Sequence, residues 1–149
     1  RTIAADLVRT DDGVDGRDSS ARTLELFFLH LTLNHTVVVE TLLDKAGRPT
    51  GTQLSASSPD EEAFVYAGRF FGFDFRDREA DEVILEMKLP GGDARERRFL
   101  VLHVLAYNQQ RKRMSVIVQE ILPEGEEEAP VYLFCKGADT AIMPRCADA

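Results

Sequence analysis

Residues 99–122 decide the fold, and they read FLVLHVLAYNQQRKRMSVIVQEIL. The first part, Phe99 to Tyr107, is almost continuously apolar, which is the composition of a strand covered on both faces. The last part, Arg113 to Leu122, is typical of a second strand. This stretch therefore predicts the centre of a β-sheet.

Further strands are predicted on both sides of this stretch. They lie, in chain order, at Phe73–Arg76, where Phe73 and Phe75 alternate with polar residues, at Val83–Leu89, and at Val131–Cys135. Pro90 to Asp93 has the composition of a hairpin turn. The glutamate-rich run at 124–128 predicts a solvated loop, and a short closing helix is expected near Ala138 or Asp139.

Two helices are predicted before the strands. The apolar residues from Ala21 to Asn34 keep close to helical spacing. A second helix starts after Ser58, which is a good N-cap, because Pro59 suits the first helical position and Glu61 completes a capping box with Ser58. Gly72 is placed to end this helix.

The remaining segments are short or polar. Val37–Val39 and Gln53–Ala56 are predicted as short extended pieces, separated by a turn that Gly47, Pro49 and Gly51 mark. Residues 1–20 are polar and turn-prone and are predicted as a flexible lead-in to a domain at 21–149. Two helices followed by consecutive strands indicate an α+β fold, with a mostly antiparallel sheet of about six strands flanked by helices.

Composition restricts the class of protein. The 149 residues are 44% hydrophobic, which is enough for one domain with its own core. Lysine and arginine number 18 against 26 acidic residues, and the net charge of −8 argues against a nucleic-acid-binding surface. No apolar run approaches the roughly 18 residues of a membrane-spanning helix. Two cysteines argue against a disulfide framework or a zinc site and point to a reducing, cytosolic setting.

Familiar catalytic motifs are absent from the sequence. There is no GxxxxGK[ST] loop and no GxGxxG following a strand. The three histidines are isolated and lack metal-ligand spacing, and neither cysteine has a recognisable nucleophile context. The residues alone therefore indicate an acidic α+β domain with no catalytic and no metal-binding residue.

Four segments carry a resemblance to a known family. They are His35–Val38, which reads HTVV, residues 57–64, which read SSPDEEAF, residues 107–118, which read YNQQRKRMSVIV, and residues 132–140, which read YLFCKGADT. In this order and at this spacing they resemble the nucleotide-binding domain of P-type ATPases, and most closely that of the phospholipid-flippase branch. The resemblance spans roughly His35 to Arg145 and implies a piece of a larger membrane ATPase that binds ATP.

The resemblance implies roles for three residues around an adenine base. Tyr107 stands where the family stacks adenine on an aromatic ring, usually Phe, and a phenol ring keeps the required π-face. Glu61 stands at the acidic position that accepts a hydrogen bond from the adenine amino group. Gln109 stands where the family usually has Ser. Without the resemblance, Tyr107 is more simply the last core residue of a strand, and Glu61 is the capping partner of Ser58.

Four further residues are implied to complete the nucleotide site. Lys136 matches the lysine of the family's KGA motif, although a lone lysine after a strand is usually a surface charge. Gly137 lacks a side chain and so permits a ligand to approach the backbone closely. Lys112 matches a second basic position and Met114 an apolar wall, and two residues that are two apart on a strand share a face.

The resemblance also implies what this chain does not do. P-type ATPases transfer the γ-phosphoryl group of ATP to the aspartate of a DKTG motif, and residues 1–149 contain no such motif. The chain is therefore expected to bind ATP without hydrolysing it, as a cytosolic domain of an integral membrane protein with no direct membrane contact. Mg²⁺ of the intact enzyme would be bound mainly outside this chain. The expected partners are the phosphorylation domain of the same parent and an accessory subunit of that parent, and nucleic acid is not among them.

Two other functions stay open at this point. The departures at Tyr107 and Gln109 are also consistent with a regulatory or protein-interaction module that keeps the fold but has degenerate nucleotide binding. The chain could also be the nucleotide-binding domain of another P-type branch such as a cation pump. The SPDE and RKRMSVIV motifs argue against this alternative.

Overall fold

The computed structural model describes residues 2–6, 19–88, 93–123, 125 and 129–146. The elements in chain order are β1 (Thr2–Asp6), α1 (Ser19–Leu33), β2 (Val38–Leu43), β3 (Pro49–Ser55), α2 (Pro59–Phe70), β4 (Phe73–Glu79), β5 (Glu82–Met87), β6 (Arg95–Leu105), β7 (Arg113–Ile121), β8 (Val131–Ala138), α3 (Asp139–Ile142) and a 3₁₀ turn at Met143–Arg145. The fold is α+β, as the sequence predicts.

One six-stranded sheet forms the centre of the described structure. Its strand order is β1-β8-β7-β6-β5-β4, and every neighbouring pair is antiparallel. The prediction of a mostly antiparallel sheet of about six strands is therefore confirmed. The register of β7 and β8 sets Met114 opposite Lys136 and Arg113 opposite Gly137. It thereby places the RKRMS and KGA segments side by side.

Helices α1 and α2 pack on each other and against the sheet. Helix α1 contacts β4 and β8, and α2 contacts β4. The core between them includes Leu29 and Leu33 from α1, Val65 from α2, and Phe99 and Phe134 from the sheet, all with at most 1% of their surface exposed. Burial of side chains of this size contributes about 1.5–3 kcal/mol each, so this layer is what holds the helices in place.

Helix α2 begins where the sequence predicts, but its cap differs. Ser58 is the N-cap residue in an extended conformation, Pro59 follows as the first helical residue, and the Ser58 side chain makes no capping hydrogen bond. The predicted capping box is therefore wrong, because the Glu61 carboxylate turns to other partners. Gly72, with φ of +90°, follows the helix end as predicted.

The expectation that Phe99–Tyr107 is covered on both faces is wrong. Phe99 is fully buried, whereas Leu100 is 38% exposed and Leu102 40% exposed. Side chains alternate across a strand, and among the described residues α1 and α2 pack over the face that holds Phe99. The strand itself also ends earlier than predicted, at Leu105.

Strands β2 and β3 form a separate antiparallel pair. The sequence predicts only Val37–Val39 and Gln53–Ala56 as extended, whereas the hairpin uses Val38–Leu43 and Pro49–Ser55. Its turn is closed by the Asp44 carboxylate, which accepts hydrogen bonds from the amides of Ala46 at 2.8 Å and Arg48 at 3.0 Å. An aspartate whose side chain accepts a hydrogen bond from the backbone amide two residues later favours a turn. The turn at Asp44 allows both strands to run longer than predicted.

Part of the predicted lead-in lies in the sheet. Thr2–Asp6 pairs with β8 and sets Ala4 opposite Lys136, although residues 1–20 are predicted as a flexible lead-in and not as part of the core. Strand pairing requires only backbone donors and acceptors, so the weakly apolar composition of this segment did not indicate it. Residues 7–18, most of the predicted turn at Pro90–Asp93 and most of the loop at 124–128 lie outside the described residues. No helix in the described part of the chain is long and apolar enough to cross a membrane.

Candidate functional site

A cavity of about 650 Å³ lies where the start of α2 meets the neighbouring ends of β6, β7 and β8. We call it the α2–β8 cavity. Its lining includes five of the residues predicted to bind a nucleotide, namely Glu61, Tyr107, Met114, Lys136 and Gly137. The volume is within the range of about 300–1,000 Å³ that small-molecule sites occupy. The structure therefore brings together residues that are far apart in the sequence.

The α2 wall of the cavity is centred on Glu61, in the first turn of the helix. One carboxylate oxygen, Oε2, accepts hydrogen bonds from the Thr36 amide at 2.9 Å and from the Thr36 hydroxyl at 2.7 Å. The other oxygen, Oε1, accepts a hydrogen bond from Lys136 Nζ at 2.8 Å. The carboxylate is thus held at both ends, with only 10% of its side chain exposed.

These contacts keep Glu61 ionised. Burial opposes the charged form, but the hydrogen bonds from Lys136 and Thr36 outweigh it and hold the pKa of Glu61 below its ordinary value of 4.5. Glu61 is therefore an acceptor at neutral pH, which is the form that can bind an amino group.

Lys136 lies on β8 and forms the basic part of the cavity. Its side chain is only 13% exposed, and its ammonium group lies 5.5 Å from the centre of the Phe64 ring as well as against Glu61. An ammonium over an aromatic face gains a cation–π attraction. Lys136 is therefore a partnered, largely buried cation, and its interpretation as a plain surface charge does not hold.

Tyr107 follows the end of β6 and presents its ring at the cavity. Its side chain is 54% exposed, so it is not a core residue of a strand. An aromatic ring that protrudes at the mouth of a cavity is available to stack on a flat ligand. Met114 lies further in on β7, is only 4% exposed, and provides an apolar part of the lining.

Gln109 and Lys112 do not line the α2–β8 cavity. They belong to the turn between β6 and β7, where the Lys112 amide bonds the Asn108 carbonyl at 2.8 Å and Lys112 has φ of +51°. The expectation that Lys112 shares a strand face with Met114 is wrong, because β7 begins at Arg113. Both side chains are exposed on this turn.

The close approach predicted at Gly137 is made by the protein itself. A Cβ atom at this position would clash with the Lys112 carbonyl oxygen and lie 2.6 Å from the Arg113 Cβ atom. The next residue, Ala138, donates its amide to the same carbonyl at 3.0 Å. The missing side chain therefore allows β8 to lie against the turn that follows Tyr107, in addition to any role towards a ligand.

His35 and Thr36 are held rigidly behind Glu61. The His35 ring is fully buried, bonds the Thr32 carbonyl through Nε2 at 2.8 Å, and accepts the Val37 amide at Nδ1 at 3.1 Å. Burial, with the nearby Arg78 charge, lowers the pKa of His35 from 6.5 to about 3. His35 is therefore neutral and carries its proton on Nε2.

Among the lining residues that the sequence does not predict, Thr36 and Phe64 contact the charged groups of the cavity. Thr36 lies in the HTVV segment, but nothing in that segment alone shows that it faces Glu61. Phe64 could have been found, because a residue three positions after Glu61 lies on the same side of a helix. The contact between Thr36 and Glu61 depends on how α2 docks, which is a tertiary property.

A second and larger cavity, of about 800 Å³, lies elsewhere and contains none of the predicted residues. Its charged groups pair with each other, since Arg97 bonds Glu25 at 2.7 Å and Glu120 at 2.6 Å. Neither cavity offers a metal site, because the described residues contain no group of three or more His, Cys, Asp or Glu side chains that could hold a metal ion. The α2–β8 cavity combines an acceptor, a cation and an exposed ring, and it suits an organic ligand with a flat polar base.

Comparison with known proteins finds that the chain is similar to part of several phospholipid-transporting ATPases. It is 38% identical over 132 residues, 88% of its length, to "Probable phospholipid-transporting ATPase 5" of Arabidopsis thaliana. It is likewise 38% identical over 132 residues to "Phospholipid-transporting ATPase 10" of the same plant, and 36% identical over 143 residues, 96% of its length, to "Phospholipid-transporting ATPase DNF1" of Saccharomyces cerevisiae. No family model matches the chain.

The chain spans about a tenth of the length of these relatives, 10% of the two plant proteins and 8% of the yeast protein. It is thus homologous to one segment of the P-type ATPases of the phospholipid-transporting branch. The resemblance carried by the four sequence segments is confirmed at this level.

Proposed function

We propose that this chain is the adenine-nucleotide-binding domain of a phospholipid-translocating P-type ATPase. The observation that carries the proposal is the convergence of Glu61, Tyr107, Met114 and Lys136 on the α2–β8 cavity. These residues come from three of the four segments that resemble the family, and they meet only after folding. The homology to phospholipid-transporting ATPases supports the same assignment.

Each residue has a chemical role towards ATP in this proposal. The Tyr107 ring stacks on adenine, a contact worth about 1–3 kcal/mol per base. Met114 provides an apolar surface for the base, and Glu61 accepts a hydrogen bond from its exocyclic amino group. Lys136 lies beside Glu61, and its positive charge is assigned to the adenine and the phosphates. Gln109 and Lys112, on the adjoining turn, are assigned to the outer part of the nucleotide.

The chain positions the nucleotide and performs no chemistry itself. In the parent it delivers the γ-phosphate of ATP to an aspartate outside this chain, and the phosphorylation domain is its partner. In the intact enzyme, Mg²⁺ would be held mainly by groups outside this chain and would neutralise charge on the phosphates. Positioning supplies much of the catalysis of phosphoryl transfer, so a domain without a catalytic residue remains essential. The proposal places the domain on the cytosolic side of the membrane, where ATP is available.

Binding to the isolated chain is expected to be weak and dominated by the base. One stacked ring and a few polar contacts correspond to a Kd on the order of 0.1–1 mM or poorer. ADP and AMP should therefore bind about as well as ATP.

Titration of the isotope-labelled chain with ATP, ADP and AMP, followed by amide chemical shifts, tests this. We expect comparable saturation by all three ligands, with the largest shifts near Glu61, Tyr107 and Lys136. Tyr107→Ala should abolish the shifts. The matched control is Tyr66→Ala, which removes a similarly exposed tyrosine (46%) from α2, outside the cavity, and should leave them unchanged.

Two results would contradict the proposal. Micromolar binding that requires the triphosphate would mean that the base is not the main anchor. Absence of any nucleotide-dependent shift, in a chain that folds, would favour the regulatory or protein-interaction module.

A further inference from the structure

Thr36 makes two hydrogen bonds to a single oxygen of Glu61. Its amide donates to Oε2 over 2.9 Å and its hydroxyl over 2.7 Å. The two residues are 25 positions apart, in the loop after α1 and in the first turn of α2. This contact is independent of the Ser58 cap, which the Glu61 carboxylate does not join.

The Thr36 donors have little freedom to point elsewhere. The preceding residue, His35, is fixed through its ring by Thr32 and Val37 and through its carbonyl by Arg78, whose guanidinium donates over 3.0 Å. The following residue, Val37, is fully buried in the core. The backbone on both sides of Thr36 is therefore held, and its amide is aimed at Glu61 before any ligand arrives.

Counting acceptor positions shows which oxygen remains available. A carboxylate oxygen has about two lone-pair directions. Thr36 fills both on Oε2, and Lys136 fills one on Oε1. A ligand donor must therefore approach Oε1, beside the lysine ammonium group.

We propose that Thr36 is a positioning residue that gives the α2–β8 cavity its selectivity for a 6-aminopurine over a 6-oxopurine. Thr36 occupies Oε2 of Glu61 and so leaves Oε1 for the base. This inference rests on the nucleotide-binding function proposed above. An exocyclic amino group donates to Oε1. The carbonyl oxygen of a 6-oxopurine has only lone pairs to offer, so it meets the carboxylate with acceptor facing acceptor.

The test compares ATP with ITP, which replaces the amino group by a carbonyl oxygen, on four forms of the chain. They are the unaltered chain, Thr36→Val, Thr36→Ser and the control Thr41→Val, which changes an exposed threonine on β2 away from the cavity. Affinities are measured by amide chemical shifts. The pKa of the Glu61 carboxyl is measured by carbon NMR without nucleotide.

We expect Thr36→Val to reduce the ratio of ITP Kd to ATP Kd by about 3- to 10-fold, which corresponds to the loss of one hydrogen bond. ITP affinity itself should change little, and Thr36→Ser should restore the ratio. The pKa of Glu61 should rise in Thr36→Val and remain unchanged in Thr41→Val.

An unchanged ratio in a folded Thr36→Val chain that still binds ATP would overturn the inference while leaving the proposed function intact. Absence of ATP binding by the unaltered chain would overturn both. In that case the Glu61 titration would still report whether Thr36 holds the carboxylate.

Discussion

At the scale of single residues, the charged groups of the cavity already have partners within the chain. Glu61 is bonded by Thr36 and Lys136, and Lys136 also lies over the Phe64 ring. A ligand therefore enters a site whose charges are balanced. Behind it, His35 is a buried neutral imidazole that fixes the segment carrying Thr36.

Acidification should destabilise the chain through His35. The pKa of His35 is about 3 in the folded chain and has its ordinary value of 6.5 in the unfolded chain. The unfolded chain therefore binds a proton that the folded chain does not, so stability is complete above pH 6.5 and is lost as the pH falls towards 3. Lowering the pH from 7 to 5 should cost about 2 kcal/mol of unfolding free energy through this residue.

Urea denaturation at pH 7 and pH 5 measures this change. His35→Gln should show a pH dependence smaller by that amount, whereas His103→Gln, at an exposed histidine on β6, should keep the full dependence. Equal dependence in the unaltered chain and in His35→Gln would contradict the buried neutral imidazole. Glu61 does not interfere, because its pKa lies below 4.5.

At the scale of elements, β6 shows how a composition signal can mislead. Its apolar run predicts burial on both faces, yet Leu100 and Leu102 are well exposed while Phe99 is fully buried. An apolar composition allows a strand to be buried on both faces. Whether both faces are buried depends on which other elements pack against them.

Substitution on the two faces of β6 should have unequal effects. Phe99→Ala should lower the free energy of unfolding by about 3–5 kcal/mol, because it leaves a cavity in the core. Leu102→Thr should change it by less than about 0.5 kcal/mol, as is usual for surface positions. Urea denaturation of both variants checks this, and a comparable loss in Leu102→Thr would mean that the second face is covered.

Elements whose ends or pattern are set by neighbouring residues in the sequence could be predicted. The start of α2 follows from Ser58-Pro59, and its end from Gly72. The strands at β4, β5, β7 and β8 follow from alternation and β-branched runs, as the structure places them within a few residues of prediction. The hairpin of β2 and β3 and the strand at Thr2–Asp6 were missed or shortened, because their pairing depends on backbone bonds and on Asp44 and not on apolar pattern.

At the scale of the whole molecule, the close packing of α2 against α1 and β4 sets where Glu61 lies. Gly68 of α2 is the contact point: a Cβ atom there would clash with the Thr32 side chain and lie 3.3 Å from the Phe73 carbonyl oxygen. The helix can approach this closely only because it has no side chain at that position.

Gly68→Ala should therefore push α2 outwards and destabilise the fold. We expect a loss of about 1–3 kcal/mol in unfolding free energy, which is the usual effect of overpacking. Gly51→Ala, on β3 with nothing within 4 Å of the added atom, is the matched control and should change stability much less. Urea denaturation measures both, and equal effects would contradict the close packing.

Only part of the candidate site could be predicted from the sequence, because the site depends on how the elements pack. Glu61, Tyr107, Met114 and Lys136 were identified from sequence segments, and folding brings them to one cavity. Gln109 and Lys112 were assigned from the resemblance, but they lie on the Asn108 turn before β7 and do not line the cavity. Thr36 could not be recognised as a partner of Glu61, because only the docking of α2 beside the loop after α1 makes them neighbours.

The ion pair between Lys136 and Glu61 has a consequence for any ligand that enters and leaves the α2–β8 cavity. Since the ammonium and carboxylate groups satisfy each other when nothing else is present, departure of an occupant leaves no stranded charge behind. The pair thus spares the fold the cost of burying either charge without a partner.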